Sequence, residues 1–400
     1  MNSNIGIRSN RRRFLKTAVS VGIASEFATP TMAKSNAEDL VEYVAYLKGE
    51  PPNREKIYET VTHEHWARRF TADDLKDQIY EQIHSTWGEN TLLKAQWEPM
   101  NDSPTRFGVV VPYTHYHDEE GVRSPKPPIE VVREELPDKG TGTDEHDGHS
   151  FRRENIPIRV IETHEYPVDC SGEGSTCQKT GDDHYGQDLP GGVPVYNSTD
   201  NIYQSLAAAF YENGDDYGKG WISSGHGFDK SDDAYYPDDV DGDKFGDCKK
   251  FNNDFVDDIE WSFIDATDSE TPKAYIANGS ADGTNEYPVK GIVPDSALKT
   301  DTGTSNIYYT NGRSTCRLSG LLIATGGNGT SYVQYTHDIE DGDSGGPLFD
   351  VNDGAAYIAA KHTTQYNNSD DEDSDSCKDD AKGTTAETLE NKVPGYFMTT

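Results

Sequence analysis

Basic residues are scarce in this chain. Its 400 residues carry 36 lysines and arginines against 71 aspartates and glutamates, a formal net charge of −35. Phosphate backbones are held by clustered Lys and Arg, so nucleic acid is excluded as a partner. The acidic excess is dispersed along the chain and not gathered in one tail. Such a surface repels itself at low ionic strength. Molar salt shortens the Debye length to about 3 Å and removes most of that repulsion. The composition therefore implies a protein that folds and works in concentrated salt. Long apolar runs are missing too. The weakly apolar stretch from Thr17 to Ala28 is too short and too polar to span a bilayer, and nothing later reaches that length. Cysteine is limited to five residues with none before Cys170, which excludes a lipid-anchored amino terminus. The odd count leaves one thiol over. Cys170 and Cys177 can pair across a Gly/Ser loop, while Cys248, Cys316 and Cys377 permit at most one bridge.

Metal ligands in register are also lacking. His63/His65 and His115/His117 have no convincing third ligand. Asp239, Asp241 and Asp243 imitate the start of a calcium loop, but Lys244 stands where glycine is needed and no glutamate closes it. Acidic solvated surface is the default reading there, and no metal or other cofactor is expected. The amino terminus supplies an address. Arg11-Arg12-Arg13-Phe14-Leu15-Lys16 resembles a twin-arginine export signal, and Thr31-Met32-Ala33 suits a signal peptidase, making Lys34 the first exported residue. A secreted, soluble protein without a membrane anchor is expected.

What is present in strength is a loop, Gly342-Asp343-Ser344-Gly345-Gly346-Pro347, followed by the apolar pair Leu348-Phe349. A serine hydroxyl is a poor nucleophile at its own pKa and needs a tight turn that presents it to a base. Small residues around Ser344 let the backbone approach closely and aim N–H groups at a developing oxyanion. Upstream, the strand-like Trp221-Ile222-Ser223-Ser224-Gly225 places His226 at its tip. Between them, Asp257-Asp258 opens the apolar run Ile259 to Ile264. The order His226, Asp258, Ser344, with gaps of 32 and 86 residues, suits a nucleophile, a base and an orienting acid. Asp254, Asp257 and Asp265 are close enough to leave the identity of the acid open.

From about Asp188 to Thr400 the chain resembles the chymotrypsin-like serine proteases, especially the small bacterial branch that includes α-lytic protease and the streptogrisins. Pro190 to Tyr196 is similar to that branch's first strand. Gly312-Arg313-Ser314-Thr315 resembles its central hairpin turn, and Ala356 to Ala360 its pocket-lining strand. The resemblance implies an all-β protease domain of two packed six-stranded antiparallel barrels with a short C-terminal helix. It implies that Ser344 attacks the scissile carbonyl, His226 moves the proton, and Asp258 fixes the imidazole. The backbone N–H groups of Gly342 and Ser344 would form the oxyanion hole. It also implies a partner for Asp343, with Arg313 and Arg317 as candidates. One departure is Gly227, which stands where the family has cysteine. No cysteine lies between Pro190 and His226 either, so one bridge is lost as a whole. Specificity cues conflict. Asp338, six residues before Ser344, suggests basic substrates, whereas Lys361 and His362 fall near the site of a glutamate-reading histidine.

The expected division is a signal over residues 1–33, a mixed α+β prosegment over 34–187 with a polar linker at 137–153, and the protease over 188–400. Within the prosegment, Glu38–Leu47 and Ala72–Ile83 read as helical. Phe107–Tyr113, Ile129–Glu134 and Ile156–Glu162 read as strands. The resemblance implies that this segment assists folding and masks the cleft until cleavage near Tyr185 to Pro190. The reading is a monomeric, secreted, salt-adapted serine endopeptidase made as a zymogen, acting on proteins or peptides. The alternatives are a silent binding protein on the same fold and an esterase using the same triad.

Overall fold

Alternating apolar and polar residues dominate the chain after Asp39, and β structure follows from that period. The computed structural model describes residues 40–88, 91, 93–99, 107–118, 121–125, 127–146, 149–166, 185, 188–214, 217–236, 242–254, 259–267, 270–277, 287–304, 306–326, 332–336, 342–367 and 381–400. The expected export signal lies outside them. An eight-stranded antiparallel sheet runs in the order Ile202–Ser205, Pro194–Asn197, Asp233–Tyr236, Asp243–Asp254, Ile259–Ala266, Gly218–Ser223, Ala208–Glu212 and Gly395–Phe397. Its inward face buries Leu189, Val193, Val195, Trp221, Phe245 and Ile264. A second, 16-stranded sheet contains Tyr287–Ile292, Ala355–Asn367, Pro347–Asn352, Ile307–Gly312 and Cys316–Gly326 in that order, with Tyr332–Tyr335 and Ala381–Thr385 folded back on them. The β framework comprises a closed six-stranded barrel and a half-barrel. Phe210, Ile222 and Phe263 of one sheet meet Val289, Phe349 and Ile358 of the other in a shared apolar layer. The helix Ala386–Lys392, capped by the Thr385 hydroxyl on Thr388 N–H at 3.3 Å, closes that layer with Leu389 and Val393.

The preceding residues join the second sheet and do not form a sheet of their own. Leu40–Lys48, hairpinned to Glu55–Thr62, pairs with Tyr287–Ile292 through Leu47↔Ile292. Gln96–Pro99 pairs with Cys316–Gly326 through Trp97↔Thr325. His149–Tyr166 reaches Ala355–Asn367 through Tyr166↔Gln365 and His164↔Asn367. Val41, Tyr43 and Tyr46 share one apolar cluster with Leu298, Tyr308 and Tyr335. The buried Arg69 donates to Lys299 O at 2.7 Å, and Lys299 Nζ meets Asp73 at 2.9 Å. Leu40–Thr400 is accordingly one compact unit.

Three local expectations change. Residues 40–48 are a strand, because Val41, Tyr43 and Ala45 alternate inward against a partner strand on each side. Ile129–Glu135 is a helix: Pro128 sets its start, and Ile129 and Val132, three apart, supply the one buried face. Residues 137–153 are not a linker. Lys139–His146 forms a ribbon with the start of His149–Tyr166, anchored by Thr143 N–H on Asp74 at 2.7 Å. Its polar side chains leave no alternation to read. The helix expected at Ala72–Ile83 lies inside His63–Trp87, and the expected strands at 107–113 and 156–162 lie inside Phe107–Asp118 and His149–Tyr166.

Candidate active site

His226 follows the buried strand Gly218–Ser223, which pairs with Ile259–Ala266 through Ser223↔Ser262. That register brings Glu260, two residues from Ser262, beneath the turn. Glu260 Oε2 accepts the N–H of Gly225 and, at 3.2 Å, that of His226. Its Oε1 lies 3.4 Å from His226 Nδ1. Ser224 Oγ sits between them, 2.9 Å from Nδ1 and 2.6 Å from Oε1. A carboxylate only accepts, so the hydroxyl donates to Glu260 and its lone pair receives the Nδ1–H. The proton is thereby kept on Nδ1, leaving Nε2 as the basic nitrogen.

The loop carrying Ser344 is clamped from three sides. Ser344 O accepts from Ser205 N at 2.9 Å, Gly345 N donates to His362 O at 3.0 Å, and His362 N donates to Gly346 O at 2.7 Å. Gly345 has φ +88°, and a Cβ there would lie 2.2 Å from Ser205 O and 2.5 Å from Ser223 Oγ. Only glycine lets the loop press onto Ser223 and Ser224, the residues that lead to His226. Gly345 N–H is consumed in this clamp, and Gly346 N–H donates to Asp343 O at 2.9 Å within the loop. Gly342 and Ser344 N–H donate to no acceptor among the described residues, as an oxyanion hole requires. The Ser344 hydroxyl, 3% exposed, points to Thr363 O at 3.5 Å. Asp343 Oδ1 accepts Ser314 N–H at 2.7 Å and Oδ2 accepts the Thr315 hydroxyl at 2.6 Å. Arg313 lies over the Tyr203 ring, and Arg317 donates to Ala277 O.

Beneath the imidazole, Lys361 Nζ meets Glu260 Oε1 at 2.7 Å, with both side chains wholly buried. Burial alone would raise the Glu260 carboxyl. The Lys361 ammonium and then His226 outweigh it and hold Glu260 well below the usual carboxylate range. The side chain of Lys361 is thus committed to the acid. The next residue, His362, has Nδ1 2.7 Å from the Tyr335 hydroxyl. Asp258 and Asp338 lie outside the described residues, as do Cys170, Cys177 and Cys377. Cys248 is a free, buried thiol. The space beside Gly227 is filled by a side chain: a Cβ there would fall 1.5 Å from Gln204 Nε2.

Glu260 escaped the sequence reading, and Lys361 entered it only as a specificity candidate, not as a partner of the acid. Neither belongs to a motif, and they are 101 residues apart. The accessible signal was a charged residue inside each of two apolar strands, Ile259–Ala266 and Ala355–Asn367. Such charges require each other or another partner when buried.

No family model and no curated protein sequence matches the chain. Solved structures share its β framework. The chymotrypsin of Cellulomonas bogoriensis is 16% identical and aligns 53% of this chain with 100% of its own, at a TM-score of 0.38. The Nocardiopsis protease is 14% identical over 53% of this chain and 100% of its own, also at 0.38. A glutamic acid specific serine protease is 12% identical over 52% and 100%, at 0.39.

Proposed function

We propose that the chain is a serine endopeptidase in which Ser344 is the nucleophile and His226 the general base. The observation that carries this reading is the clamped loop Gly342–Gly346, packed on the residues that lead to His226, with the Gly342 and Ser344 N–H groups donating to no acceptor among the described residues. The hydroxyl is turned to Thr363 O at 3.5 Å, and in this reading it leaves that carbonyl for His226 Nε2 when substrate arrives, since such contacts tighten only in the complex. Attack transfers the Ser344 proton to Nε2, and the resulting imidazolium returns it to the leaving amine. Gly342 and Ser344 N–H receive the oxyanion. The orienting acid is Asp258 on sequence order and Glu260 on the contacts above. The substrate is a protein or peptide; Asp338 and His362 are the candidate specificity residues.

The export signal at residues 1–33, the salt-adapted surface and the prosegment at 34–187 complete the proposal. The segment leading to Tyr166 pairs antiparallel with Gln365–Asn367, on the same strand as Lys361, His362 and Thr363. This edge, next to the Ser344 contact, is where an extended peptide would add as a strand. Its occupation supports a masked zymogen. The test is a fluorophosphonate probe in concentrated salt, on the full chain and on a form beginning near Gly191, with the label located by mass spectrometry. Label at Ser344 that disappears in His226→Ala is expected. No label in the shortened, folded form overturns the enzyme reading in favour of a binding protein. Label with ester but not protein turnover makes it an esterase.

A further inference from the structure

Resting on the serine-nucleophile reading, with Glu260 as the acid that orients His226, we propose that the buried Lys361 is a positioning residue that sets how strongly the Glu260 carboxylate acts on the ring. Three features of the geometry carry this. Glu260 binds the His226 turn twice through backbone N–H and holds the ring through Ser224. Both chains are wholly buried, so no water screens the pair. The carboxylate oxygen facing the imidazole, Oε1, is the one that receives the Lys361 ammonium.

That shared oxygen fixes the direction of the effect. An isolated buried carboxylate next to an imidazole favours the imidazolium strongly and resists returning the ring to its neutral, basic form. Lys361 neutralises part of that charge, keeping Glu260 ionised in a dry site while moderating its pull on the ring. Among the described residues, the groups placed against His226 include Ser224, Glu260 and, through Glu260, Lys361. Removing the acid and removing the ammonium therefore change proton affinity in opposite directions. A pair that served packing alone would not.

The experiment measures fluorophosphonate labelling of Ser344 against pH in wild type, Glu260→Gln, Lys361→Met, Lys361→Arg and Asp258→Asn, each first checked for folding by circular dichroism. In Glu260→Gln the labelling rate falls by about 10²–10⁴-fold, and its acid-side midpoint moves down by about one pH unit. In Lys361→Met the midpoint moves up by about one pH unit, and Lys361→Arg restores the wild-type position. A ¹H–¹⁵N titration of the His226 ring in the full chain reads the same opposed shifts without turnover. An unchanged midpoint in folded Glu260→Gln overturns the inference. So does a loss confined to Asp258→Asn, which would make Asp258 the acid. If Lys361→Met does not fold, a Lys361→Arg protein with a displaced midpoint overturns the role given to Lys361. Wild type that never labels while the ring titration shifts as stated sinks the nucleophile reading and leaves the His226–Glu260–Lys361 coupling standing.

Discussion

Asp301 gives the joint between the amino-terminal strands and the second sheet a calculable pH dependence. It sits at the end of the helix Asp295–Asp301 and accepts the hydroxyls of Tyr43 at 2.8 Å and Tyr308 at 2.6 Å. Burial lifts its carboxyl from 3.8 to about 7, against those two hydrogen bonds and with smaller repulsion from Asp350 and Glu59. A rise of this size corresponds to roughly 4 kcal/mol. The folded carboxyl holds its proton more tightly than the unfolded one. Its contribution to stability is therefore complete below about pH 4 and lost as pH rises to about 7. Asp301→Asn keeps the shape and cannot ionise. Urea unfolding of both proteins at fixed ionic strength, followed by tryptophan fluorescence from pH 4 to 8, isolates the term, because every other carboxylate cancels in the difference. The variant should gain on wild type by roughly 4 kcal/mol between pH 4 and 7 and hold level above that. A difference that stays flat across this range refutes the reasoning.

Gly345→Ala should lower fluorophosphonate labelling at least about 100-fold and stability by about 2–4 kcal/mol, since its Cβ has no room beside Ser205 O; normal labelling would show that the loop is not clamped as described. Cys248 is fully buried, and burial pushes its thiol up to about 12. Its peptide should stay unmodified by a disulfide reagent at pH 8 in the native protein and react on unfolding, and rapid native modification would contradict that burial.

The site was legible where its chemistry is local. Ser344 and His226 each sit in a run of small residues, because close backbone approach leaves its mark within a few positions. The β framework was legible for the same reason, through short apolar runs such as Ile259 to Ile264. Residues 40–48 and 129–135 were misread because the choice depends on neighbours. A strand edge stands ready for Val41 and Tyr43, and Pro128 sets a helix start before the β-branched residues Ile129, Val131 and Val132. The acid was ambiguous because aspartates crowd that stretch: Asp254, Asp257 and Asp265 stand close to Asp258, and Glu260, which belongs to no motif, drew no notice until the contacts of the fold brought it under His226.

Composition and motif by themselves determined the charge, the β character and the pairing of a serine loop with a histidine turn, since each is a property of nearby residues. Tertiary structure alone decided that Lys361 would meet Glu260 under His226, and that strands from before Tyr166 would join the sheet that carries the Ser344 loop. Those outcomes depend on register between segments far apart in the chain. A shift of one residue would turn every side chain to the opposite face.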